Sequence, residues 1–145
     1  MKQLLAIFLF ISTFSEAQTL TGDEVLGTWL TGSGKAKVFI YKNNAKYFGK
    51  IVWLKTPTYE DGTPKMDKKN PDVKLQSNPT LGLTMLKNFT FNKNVWEDGT
   101  IYDPENGKTY SCKINYRDGK LDVRGFVGIS LLGRTDTWFK TADIK

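Results

Sequence analysis

The chain reads as an all-β protein, an antiparallel up-and-down barrel of about eight strands with one long loop after the third strand. Three observations predict this. Short segments alternate apolar and polar residues with period two, as at 36–41, 109–116 and 121–127, and that period puts one face of a strand on a core. Turn pairs separate the segments, notably Asn43-Asn44, Asn106-Gly107 and Asp118-Gly119, residues that tolerate the positive φ of tight hairpins. Nothing after residue 17 reads as a long amphipathic helix. A meander leaves two edges unpaired, and closure into a barrel removes them. A sandwich is the alternative, but it needs longer crossover connections.

In chain order, Thr21 and Glu24 have capping-box spacing for one helical turn over 21–26. Residues 27–31 form the first strand around Trp29, and Gly32-Ser33-Gly34 turns the chain. Residues 36–41 and 47–54 form a hairpin about Asn43-Asn44. Residues 55–80 carry Pro57, Pro64, Pro71 and Pro79, which predicts a long irregular excursion with a helical turn after Pro71. Such loops are usually functional or mobile. Strands resume at 84–91, and the chain turns at 92–94. Two short strands, 95–96 and 100–102, flank Asp98-Gly99. Residues 109–116 and 121–127 pair across Asp118-Gly119, the apolar turn 128–133 follows, and 134–140 closes the set.

The first 17 residues predict a secretory signal: Lys2, an apolar run from Leu4 to Phe14, and Ser15-Glu16-Ala17 as a small-x-small cleavage pattern. That run is short for a bilayer span, which takes about 20 apolar residues. The expectation is therefore an exported chain, periplasmic or secreted, with one barrel domain over 18–145 and no membrane-spanning segment in it. With Cys112 as its sole cysteine the chain cannot form an internal disulfide, so the core alone must hold it together. The net charge of +6 suits weak attraction to anionic surfaces. The lysines are scattered, which with export argues against nucleic acid. The chain has no histidine, which excludes Ser-His-Asp triads, Cys-His pairs and histidine metal sites. No cofactor is expected.

Four constellations carry chemistry. Tyr102 and Asp103 open a hairpin end with Glu105 and Asn106-Gly107; they either hold a polar ligand or simply build the turn. Asp61, Asp67, Asn70 and Asp72 supply oxygens in the long loop, but without EF-hand spacing. They read as solvated acids, with an Asx cap before Pro71. Asp103, Glu105 and Asp136 are the carboxylates from which a hydrolytic pair would have to come; such pairs stand roughly 5 to 9.5 Å apart. Tyr47, Trp53, Trp96, Tyr110, Tyr116 and Trp138 could line a cavity or stack on sugars. The face Tyr110, Cys112, Ile114, Tyr116 is semi-polar and suggests a wet interior. Cys112 itself reads as a small inert core residue. Asn88-Phe89-Thr90 matches a glycosylation sequon inside a strand and reads as coincidence.

Two resemblances follow from these residues. Gly27-Thr28-Trp29 on the first strand, with Arg134 on the last, is similar to the pattern of lipocalins. There the Trp closes the barrel floor and an Arg packs over its ring, so the resemblance implies Trp29 and Arg134 as the closure pair. The second covers nearly all of 18–145. Gly27-Thr28-Trp29, Gly49-Lys50-Ile51-Val52-Trp53-Leu54, Asp67-Lys68-Lys69-Asn70-Pro71-Asp72, the run from Ile101 to Tyr110, Leu121-Asp122-Val123-Arg124-Gly125 and Gly133-Arg134-Thr135 occur in order. This series resembles the exported bacterial family known as domain of unknown function 2147, which implies no specific activity. Many members carry a Cys pair near the turn before the Gly-Lys-Ile strand; here Asn43, Asn44 and Phe48 fill that region.

The expected function is binding of a small amphipathic molecule inside the barrel, with Tyr47, Trp53, Tyr102, Asp103, Tyr110 and Tyr116 as ligand contacts. A structural or adhesive envelope module that binds cell-wall or acidic glycan is the alternative. A carboxylate-dependent hydrolase is a minor third.

Overall fold

The computed structural model describes residues 17–144; the segment read as a signal lies almost wholly outside them. Eight strands hydrogen-bond in sequential order and close: β1 (Gly27–Leu30), β2 (Ala36–Asn43), β3 (Lys46–Leu54), β4 (Thr84–Asn92), β5 (Val95–Asp103), β6 (Lys108–Arg117), β7 (Lys120–Phe126) and β8 (Arg134–Lys140). All pairs are antiparallel, and β8 returns to β1 through Trp29↔Lys140 and Leu30↔Phe139. The long loop follows β3, as expected. Among the described residues no helix is long and apolar enough to cross a membrane.

The two ends of the barrel differ. At one end the hairpins are tight: Asn44-Ala45, Lys93-Asn94 and Asp118-Gly119 all take positive φ, the geometry that matches strand twist. At the other end lie the 31–35 turn, the long 55–83 loop, the 104–107 turn and the 127–133 loop, which holds the 3-10 turn Ser130–Leu132. Tight turns leave no opening, and long loops leave a mouth.

The N-terminal segment plugs the tight end. Thr21 and Glu24 meet, but only half of the expected box forms: the Thr21 amide donates to Glu24 Oε1 at 2.8 Å and the Gly22 amide to Oε2 at 2.9 Å, while Gly22 and not Thr21 takes the N-cap position. This fixes the 3-10 turn Asp23–Val25 and buries Val25 among the barrel interior. Two indoles bind the plug's carbonyls. Trp29 Nε1 donates to Val25 O at 2.7 Å, and Trp96 Nε1 donates to Gly22 O at 3.1 Å. Buried indole N–H groups need such acceptors. Above them Phe89, Cys112, Ile114, Leu121 and Val38 fill the interior.

Several sequence expectations change. The segments around Asp98-Gly99 form one strand with a register shift, and Asp98 sits at φ 61. The irregularity has a cause: the Phe89 ring occupies the space where a side chain on Gly99 would project. The Asn106-Gly107 turn is a four-residue loop in which only Gly107 is left-handed; its amide donates to Asp103 O at 2.8 Å. The inward face of β6 is not wet throughout. Cys112 and Ile114 are buried in the apolar core, and only Tyr110 reaches the open half. Burial pushes the Cys112 thiol up to about 12, against a backbone hydrogen bond from Arg124.

Candidate functional site

Beyond the core the barrel interior is open. A cavity of about 1390 Å³ extends from the mid-barrel to the mouth, large enough for a small ligand, since such sites begin near about 300 Å³. Ile51, Val123 and Trp138 form its floor, each almost fully buried, and Leu54, Ile101 and Tyr110 continue the wall. The alternation of β7 and β8 explains this lining. Leu121, Val123 and Gly125 pair across from Trp138, Asp136 and Arg134, so all six point inward. The deep members are apolar, and toward the mouth β8 supplies the charged Asp136 and Arg134.

Polar groups at the mouth are held by specific bonds. Asp136 Oδ2 accepts from Trp138 Nε1 at 2.8 Å and from the Gly32 amide at 3.2 Å, which joins the floor indole to the rim. Tyr110 Oη accepts from Asn106 Nδ2 at 3.0 Å. Asp103 Oδ1 accepts from the Glu105 amide at 2.8 Å, and Glu105 pairs with Lys35 at 3.4 Å. The three carboxylates considered for hydrolysis are thus engaged in shaping the mouth.

The long loop is folded over the mouth and anchored there. Bridges at Thr58↔Pro64 and Met66↔Pro79 give it its own framework. Asp67 is fully buried, which corrects its reading as a solvated acid. Tyr102 Oη donates to Asp67 Oδ1 at 2.6 Å, and Asn70 Nδ2 donates to Oδ2 at 2.8 Å. Burial, the bond to Asp67 and the nearby carboxylates together raise the Tyr102 phenol to about 12. The Lys69 carbonyl occupies the space a side chain on Gly107 would need, so glycine lets the loop approach the hairpin. The remaining acids serve locally. Asp61 bonds Thr63, and Asp72 caps the 3-10 turn Val73–Leu75 after the Asn70 Asx turn. The helical turn expected after Pro71 is this one.

The six expected ligand contacts fall into three places. Tyr102, Asp103 and Tyr110 share the mouth. Tyr47 and Tyr116 lie at the plugged end, Tyr47 buried edge-on against Trp96 at 6.3 Å, so neither reaches the cavity. Trp53 faces outward. A bulge between the Lys37↔Trp53 and Val38↔Ile51 pairs turns it out while Ile51 and Leu54 line the interior, and Lys37 Nζ lies 5.3 Å from its ring. The expected Trp29–Arg134 pair is also corrected. Lys140, not Arg134, covers Trp29, with Nζ 4.6 Å from the ring centroid. Arg134 opens β8 at the mouth, six residues away, where it lines the cavity. Sequence alone offers the inward residues Asp136 and Trp138 only as a hydrolase candidate and a generic aromatic. Their i, i+2 spacing with Arg134 was the signal that could have grouped them.

Comparison with known proteins gives this barrel a lineage. Residues 27–140 match the profile of an uncharacterised protein family conserved in bacteria, DUF2147. The chain belongs to the DUF2147 family. The matched span runs from the first residue of β1 to the last of β8, so what defines the family here is the barrel. A solved Helicobacter pylori protein, described as belonging to the lipocalin family, is similar to this DUF2147 barrel. The TM-score is 0.69 at 24% identity, covering 81% of this chain and 83% of that one. At that identity the likeness speaks for the fold. Comparison with curated proteins found no match.

Proposed function

We propose that this protein is exported and carries or senses a small amphipathic molecule held in the open half of its barrel. The observation that supports this most is the polarity gradient of the cavity: an apolar floor of Ile51, Val123 and Trp138 beneath charged Arg134 and Asp136 at the mouth. An apolar tail gains from burial on the floor, about 25 cal/mol per Å² removed from water, and a polar head meets fixed partners at the rim. Two further features support the reading. The plugged end closes the interior from below, and the anchored long loop partly covers the mouth. Export rests on the signal-like run of the first 17 residues.

The test uses the environment-sensitive dye N-phenyl-1-naphthylamine. Its fluorescence should rise with the protein and fall on titration with long-chain fatty acids. Ala36 lines the cavity wall opposite Leu54, so Ala36→Trp fills the space. The variant should keep the native circular dichroism and bind the dye at least tenfold more weakly. Equal affinity in a folded Ala36→Trp protein would end the proposal.

A second reading is favoured by the outer face. Phe39, Tyr41 and Phe48 stack at 6.2 and 5.8 Å, with Lys50 within 6.0 Å of two of the rings. Six lysines and no acid occur from Lys35 to Tyr59. Lys35 and Lys42 pair with Glu105 and Asp23, and stacked rings beside the other cations suit an acidic envelope glycan. Salt-sensitive retention on immobilised alginate, lost in Phe39→Ala/Tyr41→Ala, would support it; retention unchanged by both salt and substitution would not.

A further inference from the structure

Among the described residues nine large hydrophobic side chains are exposed, and seven of them lie in two loops at the mouth. Val73, Leu75 and Leu81 belong to the long loop. Val127, Ile129, Leu131 and Leu132 belong to the β7–β8 loop, exposed by 72%, 60%, 82% and 76%. Scattered apolar residues on a surface need no explanation, whereas a concentrated set marks an interaction site. The barrel wall has already met its packing needs, since its inward faces supply the core and cavity.

The β7–β8 loop is held in this outward presentation. Arg124 Nε donates to Ser130 O at 2.6 Å, Nη2 to Leu131 O at 3.2 Å, and Nη1 to Thr135 Oγ1 at 2.8 Å. One guanidinium therefore fixes the loop backbone from beneath, using the rigid fork that lysine lacks. The aliphatic side chains stand on a braced platform. Gly133 permits the return, since a side chain there would meet the Gly125 carbonyl and Arg124.

Charge selects the occupant. Six cations line the mouth, among them Lys55, Lys65 and Arg134, against three carboxylates, and two of those carboxylates are engaged by Lys35 and Trp138. Aliphatic tips amid a cationic rim match an anionic bilayer: the tips enter the acyl boundary and the cations meet headgroup phosphates. We propose that the mouth docks on an anionic lipid bilayer through Val127, Ile129 and Leu131, which brings the cavity opening onto the membrane. The docking surface stands on the exposed aliphatic loop and the cationic rim. Its purpose, passage of an amphipathic ligand between bilayer and cavity, rests on the function proposed above.

The experiment is co-sedimentation with large unilamellar vesicles of phosphatidylglycerol and phosphatidylcholine in equal parts, compared with phosphatidylcholine alone. Expected is at least tenfold stronger partition onto the anionic vesicles, reduced at 0.5 M salt as screening shortens to about 4 Å. Ile129 and Leu131 do not line the cavity, so Ile129→Asp/Leu131→Asp should lower partition at least tenfold and leave dye binding in buffer unchanged. Leu131→Trp should be quenched by brominated acyl chains, which mere adsorption of lysines would not produce. Failure of wild-type partition, or a double variant that partitions like wild type, overturns docking. A concentration-dependent dimer abolished by the same double variant assigns the loop to a second copy and overturns it too. Lost dye binding with intact partition would instead end only the cavity reading.

Discussion

Lys140 stands over Trp29, its Nζ 4.6 Å from the indole centroid, and donates to the Leu26 carbonyl. This contact joins the last strand to the first where the ladder is shortest, with two register pairs. The C-terminal tail reinforces it: the Thr141 amide donates to Thr28 O at 3.0 Å, and Thr28 Oγ1 donates to Asp143 Oδ1 at 2.6 Å.

Lys140→Ala removes the cation from the ring and leaves the carbonyl of Leu26 without its donor. The expected cost is about 1–3 kcal/mol, seen as a lower urea midpoint and faster hydrogen exchange in β1 and β8. Arg134→Ala, six residues away on the same strand, should change stability by less than about 0.5 kcal/mol. Equal effects of the two would contradict the assignment.

Tyr102→Phe removes one of two side-chain donors to a buried carboxylate. An under-satisfied buried group costs about 1–3 kcal/mol, and here the cost falls on loop attachment. Trypsin cleavage after Lys65, Lys68 or Lys69 should accelerate roughly tenfold or more, while the melting temperature of the barrel moves little. Unchanged cleavage would mean that the anchor contributes nothing to loop closure.

Gly99→Ala places a methyl where the Phe89 ring lies. Both sites are buried in a filled core, so relief requires moving an aromatic ring. The expected loss is about 1–3 kcal/mol, read from urea unfolding. Phe89→Leu in the same chain should restore part of it, because the smaller side chain vacates the collision.

Alkaline pH should weaken the fold. Burial raises the Cys112 thiol from 9.0 to about 12, so between those values the unfolded chain has released a proton that the folded chain retains. Below pH 9 both states hold it and the contribution is constant. Above that, stability falls with a slope of up to about 1.4 kcal/mol per pH unit. The Tyr102 phenol, raised from 10.0 to about 12, acts in the same direction. Cys112→Ala should flatten the decline from pH 9 to 11 in unfolding titrations; an identical pH profile would exclude the thiol as its source.

How far the sequence could be read depended on the range of each interaction. Strand positions were legible because period-two alternation and turn dipeptides are local signals, and the Arg134–Lys140 strand fell where expected. The pairing of Thr21 with Glu24 was legible for the same reason, but the shift of the N-cap to Gly22 and the segment's role as a plug were not, since Trp29 and Trp96 must first converge on it. Asp67 looked solvated because its neighbours in sequence are polar. Only the return of the loop onto Tyr102 buries it.

The sequence by itself determined the alternating strands, their antiparallel order and the absence of histidine chemistry. These follow from residue types and spacings within a few positions of each other. The tertiary structure decided which end opens, that Lys140 and not Arg134 meets Trp29, and that Trp53 turns outward at a bulge. Those outcomes depend on register and shear around a closed sheet, where a shift of one residue reverses every side chain. No local pattern carries that information.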